Sequence, residues 1–284
     1  MAGISIAFEP ILAAAEKLGR KTPVASALTA KQWAEVPLAL RERAQFSARV
    51  ESARFLQAVQ DKLSDNLAMR REKVKYGEAF VDRSSFIGDM KKLGQELGLN
   101  TTAPSNWGTV RDIRSAERLG LIYDMQTQSA TAYASWKTGQ DADILQAFPA
   151  QEFRRVESRI EPRPPEFWPE RWQEAGGSIG WVGALQTPMI ALKTSPIWEN
   201  LSAFGVPWPP FDYQSGWGVV DVGRNEAEER GLIDPQEDIQ PIEAQFNDSL
   251  EASAQGLDPA LLAQLTDEFG AFVEIIGNVI RWEK

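Results

Sequence analysis

Ser195–Val222 reads SPIWENLSAFGVPWPPFDYQSGWGVVDV, with six aromatics, four prolines and three glycines. Pro196, Pro207, Pro209 and Pro210 each lack a backbone donor and restrict the residue before them, so no helix runs through the stretch. It reads as a short helix capped by Ser195, a stiff extended loop, and a strand over Trp217–Val222. Aromatics this dense on a loop are either packed inward or used for binding. Packing is the favoured reading, because a core of short elements needs bulky residues to fill it. The specific expectation is that Trp208 and Phe211 lie buried against the block containing Trp168 and Trp172. A binding surface that includes Tyr213 and Trp217 is the alternative.

The surrounding chain is read in the same way. At 284 residues with 43% apolar and 25% charged content, it has the composition of a folded protein with a substantial core. No run of about 18 uncharged apolar residues occurs, and Glu9 interrupts an N-terminus without a basic start, so neither a membrane span nor a secretory signal is expected. Cysteine and histidine are both absent. This excludes disulfides, thiolate chemistry and every Ser-His or Cys-His triad, and it removes the commonest zinc ligands. No catalytic residue, metal ligand or cofactor site is assigned.

Charge is unevenly placed. Residues 221–284 hold 15 acidic against 4 basic side chains, and residues 1–220 hold 26 basic against 25 acidic. The segment 38–75 has a helical apolar period and carries Arg41, Arg43, Arg49, Arg54, Arg70, Arg71, Lys73 and Lys75, a candidate phosphate- or partner-facing surface. A second basic cluster is Arg154, Arg155, Arg159, Arg163 and Arg171, read as contacts to phosphates or an acidic groove, or as stacking on Trp168 and Trp172.

Further helices are expected over Glu9–Leu18, from Ser84 or Ser85 to Gly98, from Arg111 to about Lys137, from Pro169 to Ala175 and over Asn225–Arg230. Strands are expected over Glu152–Ile160, at 181–184 and at 189–193. Residues 98–110 read as a loop, and 234–257 as an acidic strap. From Asp258 a helix is expected to run to the end, because Leu262, Leu265, Phe269, Phe272, Ile276 and Val279 step by three and four. Such a seam fits docking on its own domain, self-association, or a portal-like partner. The class is α+β: a helical N-terminal region (1–110), a small core with short strands and a Pro/Trp-rich loop (111–233), then the strap and a C-terminal helix (234–284).

Three blocks carry a family resemblance. DMQTQSATAYASWKTG (Asp124–Gly139) is similar to a helix, RRVESRIEPRPPEFWPERWQEAGG (Arg154–Gly177) to an arginine-rich strand with a proline and tryptophan turn, and Ser195–Val222 to a closing loop and strand, of the phage head morphogenesis family. These are minor head proteins related to the F protein of phage Mu. By order of elements the resemblance spans Arg41 to Ile233. It implies a non-enzymatic minor capsid protein docked on the portal or the major capsid's inner shell, in contact with packaged DNA as a further role. It also implies location in the virion, and in host cytoplasm during assembly. Many members have a histidine in the proline block and a Cys-Arg-Cys near the closing loop; this chain has neither, so no metal role carries over. Some relatives carry C-terminal toxin or transferase domains, which makes a phage-derived effector enzyme the alternative.

Overall fold

The computed structural model describes residues 9–76, 83–99, 103–159, 161–182, 185–242 and 251–282, without the side chains of 9–12, 66–76 and 181–186. The architecture is α+β. The first part contains α1 (Glu9–Gly19), β1 (Thr22–Pro23), α2 (Ala30–Glu35), α3 (Leu38–Arg43), β2 (Ala44–Gln45), α4 (Ala53–Tyr76), α5 (Arg83–Glu96) and α6 (Ala116–Gly139). Then follow α7 (Ala142–Ala147), β3 (Ala150–Arg155), α8 (Phe167–Glu174), β4 (Trp181–Val182), β5 (Leu185–Gln186), β6 (Met189–Leu192), α9 (Ile197–Leu201), β7 (Trp217–Val222) and α10 (Arg224–Glu229). The described chain closes with β8 (Glu251–Ser253), α11 (Pro259–Phe269), β9 (Val273–Ile276) and β10 (Val279–Trp282). It divides into two compact units, one formed chiefly by 128–243 and the other by 11–127 with 244–284. The boundary between 127 and 128 falls inside α6, and the C-terminal elements belong with the N-terminal helices.

The unit around 128–243 is organised on an antiparallel sheet of order β6-β3-β7. Paired residues share a face, so Phe153, Val219 and Met189 lie on one side, and Ala150, Val222 and Leu192 on the other. The first face meets a core of Phe153, Met189, Trp168, Trp172, Trp198 and Phe211 from α8, α9 and the proline loop. The second meets Leu145, Ala227, Ile233 and Ile239 around α7 and α10. A strand covered on both sides has no reason to alternate polar and apolar residues. β3, AQEFRR, accordingly lacks alternation, and it spans Ala150–Arg155 in place of the expected Glu152–Ile160.

In the other unit, Val24, Leu28, Val36 and Leu40 share one core with Leu261, Leu265, Phe269, Val273, Ile280 and Trp282. Trp33 stacks between Phe46 and Phe269, at 3.9 and 5.9 Å between ring centroids. The Ser26 hydroxyl donates to the Glu268 carboxylate.

Two expectations are corrected here. The segment 38–75 is not one helix: α3 ends at Arg43, Ala44–Gln45 pair in parallel with Thr22–Pro23, and Val50 bridges to Ser26. Arg49 adopts a left-handed φ of 58°, and Ser52 caps α4 by accepting from the Phe55 N–H at 3.2 Å. The apolar period shows the break, since after Leu40, Ala44 and Ala48 it skips to Phe55. The helix from Asp258 also stops early, at Phe269, and β9 and β10 form a hairpin through Gly277 and Asn278. Val273, Ile275, Ile280 and Trp282 face the core while Ile276 and Val279 are 54% and 39% exposed, so the six-residue helical seam does not exist. Leu265 and Phe269 are buried, and Leu262 and Phe272 pack partly against the same core.

Candidate functional site

The proline loop places its aromatics in two environments. Phe211 packs edge-on to Phe153 at 5.5 Å and lies 6.0 Å from Trp198, in the core that also holds Trp168 and Trp172. Trp208 is also fully buried, but against α6 instead. Its ring lies 5.0 Å from Tyr133 and 5.3 Å from Trp136, and its N–H donates to Ser129 Oγ at 3.4 Å. Trp217 is half-buried beside Phe153 and Trp168, at 4.8 and 5.9 Å, whereas Tyr213 is half-exposed, edge-on to Phe204.

The arginines near this loop are mostly committed to carboxylates. Arg154 pairs with Glu152 at 3.3 Å and Arg159 with Glu157 at 2.7 Å. Arg163 and Arg171 converge on Asp212, at 2.6 and 3.6 Å, tying the end of the proline loop to α8. Arg163 also lies over Phe167 and Arg171 over Trp168, at 4.8 and 5.5 Å from the centroids. Arg155 differs: its guanidinium lies 5.6 Å from the Trp217 ring centroid and has no carboxylate partner among the described residues.

In the N-terminal basic segment, Arg41 Nε donates to the Val36 carbonyl at 2.8 Å, and Arg43 is half-buried with interactions of its own. Arg49 and Arg54 are exposed, without an acidic partner among the described residues. Arg70, Arg71, Lys73 and Lys75 fall on the last turns of α4, and their side chains lie outside the described residues. Among the described side chains of this segment, Arg49 and Arg54 are exposed, while Arg41 is turned back onto the Val36 carbonyl.

A cleft of about 300 Å³ lies beside the start of β7, lined by Trp217, Gly218 and Val219, by Val156, Glu157 and Arg159, and by Pro209, Pro210, Ser215, Gly216 and Gln128. The Pro209–Pro210 peptide is cis. Gly216 has a φ of 70°, and a Cβ there would come within 2.5 Å of the Glu157 carbonyl, so only glycine lets the two segments approach. Its own carbonyl accepts from the N–H groups of Val156 and Glu157 at 2.9 and 3.0 Å. Arg159 Nε and the Trp217 indole N–H are buried without an acceptor among the described residues, a cost to this wall of the cleft. At the other end of the sheet, Lys193 is 2% exposed and pairs with Asp221 at 2.9 Å.

Sequence reading overlooked Trp107. It is 65% exposed, with Val110 at 47%, on a loop that is held firmly. The buried Asp112 accepts from the N–H groups of Gly108 and Arg114, at 3.2 and 3.0 Å, and Ser115 Oγ donates to the Thr109 carbonyl at 2.6 Å. Arg118 donates to the Val110 carbonyl at 3.2 Å and to Ser47 Oγ and the Ala48 carbonyl at 2.7 and 3.0 Å. The available signal was a tryptophan between Asn106 and Gly108, in a stretch with no apolar period to bury it. Lys193 gave no signal, because its burial depends on Asp221, 28 positions away.

Among the described residues no group of three or more Asp or Glu side chains is placed to hold a metal ion, and no helix is long and apolar enough to cross a membrane. No family model, curated protein or solved structure matches the chain.

Proposed function

We propose that this chain works by docking rather than turnover, as a minor capsid component of a phage head seated on the portal or the inner capsid. The observation that carries the docking reading is Trp107. A tryptophan left in solvent on a loop fixed by Asp112, Ser115 and Arg118 is a preorganised anchor. Such residues dominate protein interfaces because they bury a large area while losing little conformational freedom on binding. The phage-head assignment rests on the resemblance of the three sequence blocks, and the α+β core with its closing loop and strand is consistent with it.

Residues 128–243 hold 9 basic against 18 acidic side chains, so the acidity concentrates in the unit built on β6-β3-β7. The elements from Glu251 onward share a unit with the basic helices. The DNA-contacting role rests on Arg49, Arg54 and the four basic residues ending α4.

The test is co-purification of the full chain with the portal ring encoded in its own genome, and separately with duplex DNA at low salt. Retention on the portal ring supports the reading. A chain that stays monomeric and binds neither overturns it.

A further inference from the structure

Sheet β6-β3-β7 ends in a strand whose outer edge pairs with no other strand among the described residues. Val156 N–H donates to the Gly216 carbonyl, so in the antiparallel register the pairs Arg154/Gly218, Glu152/Val220 and Ala150/Val222 carry the ladder bonds. The other neighbour agrees: Lys193 N–H donates to the Pro149 carbonyl, which assigns the odd-numbered residues of β3 to β6 and the even-numbered ones to β7. Trp217, Val219 and Asp221 therefore turn their N–H and C=O groups outward. Ser215 Oγ accepts from the Trp217 N–H at 3.2 Å and donates to its carbonyl at 3.5 Å, but Val219 and Asp221 have no such cap among the described residues.

Edge strands are ordinarily blunted by lysine, proline, a bulge or a covering segment. β7, WGVVDV, contains neither lysine nor proline, and it borders the cleft formed with Pro209 and Pro210. Val156 and Val220 are about half exposed beside it.

We propose that this edge receives one extended segment of a partner protein, which adds as a fourth strand beside β7. The inference rests on the docking reading and gives it a partner chemistry: an acidic residue next to a large apolar one. The carboxylate follows from Arg155, paired in register with Trp217 and resting over its ring without a carboxylate partner among the described residues. An incoming residue opposite Trp217 brings its side chain to the same face as Arg155. Its chain neighbour turns to the other face, where Val156 and Val220 are exposed. A volume of about 300 Å³ fits two or three residues of extended chain, not a folded surface. Self-pairing of β7 is disfavoured because the carboxylate a second copy would offer, Asp221, is already held by Lys193.

The test pans random heptapeptides displayed on phage against the full-length chain and measures the affinity of synthetic winners by fluorescence anisotropy. Enriched sequences are expected to place Asp or Glu beside a large apolar residue. Val219→Pro removes an outward N–H and leaves the β3 ladder intact. It is expected to weaken binding about ten-fold or more, with unchanged circular dichroism, because main-chain pairing supplies the affinity in this mode of recognition. Arg155→Glu, an exposed change with little effect on folding, is expected to shift selection to Lys or Arg, and Arg155→Lys to retain the acidic preference. The proposal is overturned by three results: no enrichment, winners that bind both Val219→Pro and Arg155→Glu as they bind wild type, or a chain that dimerises through this edge. A chain that still binds the portal ring but selects no peptide removes this site and leaves the docking reading standing.

Discussion

Lys17 and Glu42 form the most deeply buried ion pair among the described residues, 2.6 Å apart, and they show how a single contact shapes stability. Burial lowers the Lys17 pKa to about 8, against an ordinary 10.5, with Glu42 opposing part of that shift. For Glu42 burial is the largest single influence and acts upward. The Lys17 and Lys21 charges, the Lys17 hydrogen bond and Arg41 together outweigh it, so its pKa falls below 4.5. Glu42 therefore contributes stability that is complete above its unfolded value and lost as pH falls through its lower folded value. Between about 8 and 10.5 the unfolded chain holds the Lys17 proton that the folded chain has released, so stability rises with pH across that window. Lys17→Met, leaving the Glu42 carboxylate unpaired, should cost about 3–5 kcal/mol in urea unfolding at pH 7, while Lys17→Met with Glu42→Leu should recover most of it. Equal losses in the single and double variants would show that the pair is not coupled. Asp212 makes a second case: Asp212→Ala releases Arg163 and Arg171 together and should cost about 2 kcal/mol, less than a fully buried pair because Arg163 is partly solvated. A change within 0.5 kcal/mol would mean that aromatic packing alone fixes the loop.

Among the elements, the C-terminal hairpin separates what was legible from what was not. Helix stops marked by glycine were readable: Gly98, Gly176 and Gly231 all take left-handed φ after α5, α8 and α10. The strand Trp217–Val222 was found with its bounds, because glycine and proline punctuate it on the N-terminal side. The stretch VEIIGNVIRW was misread, since its apolar residues fit helical steps and strict alternation equally well. The deciding signals were β-branched residues and a Gly-Asn pair between them, a two-residue hairpin connection. The two readings predict opposite signs for Gly277→Ala. In a helix interior alanine would add about 1 kcal/mol of stability. At the observed φ of 60° it should remove about 1 kcal/mol, and thermal unfolding distinguishes the two. The aromatic core could be anticipated in kind but not in partner. The density of aromatics favoured burial of Trp208, whereas its choice of Tyr133 and Trp136 over Trp168 and Trp172 depends on long-range packing that no local pattern records.

At the scale of the molecule, the chain's charge and its exposed aromatics belong to units that the linear sequence does not reveal. The N-terminal and C-terminal segments build one core together, and the middle of the chain builds an acidic sheet-centred unit of its own. Of the surface signals, the arginine-rich block is mostly paired with Glu152, Glu157 and Asp212, while Trp107, in a loop with no motif, faces solvent. Docking through that loop is the central claim, and Trp107→Ala tests it most directly in a binding titration against the portal ring. The variant should lose about 2 kcal/mol or more of binding free energy, roughly 30-fold in Kd, with the unfolding midpoint unchanged because the side chain is exposed. A variant that binds the ring as tightly as wild type would contradict it.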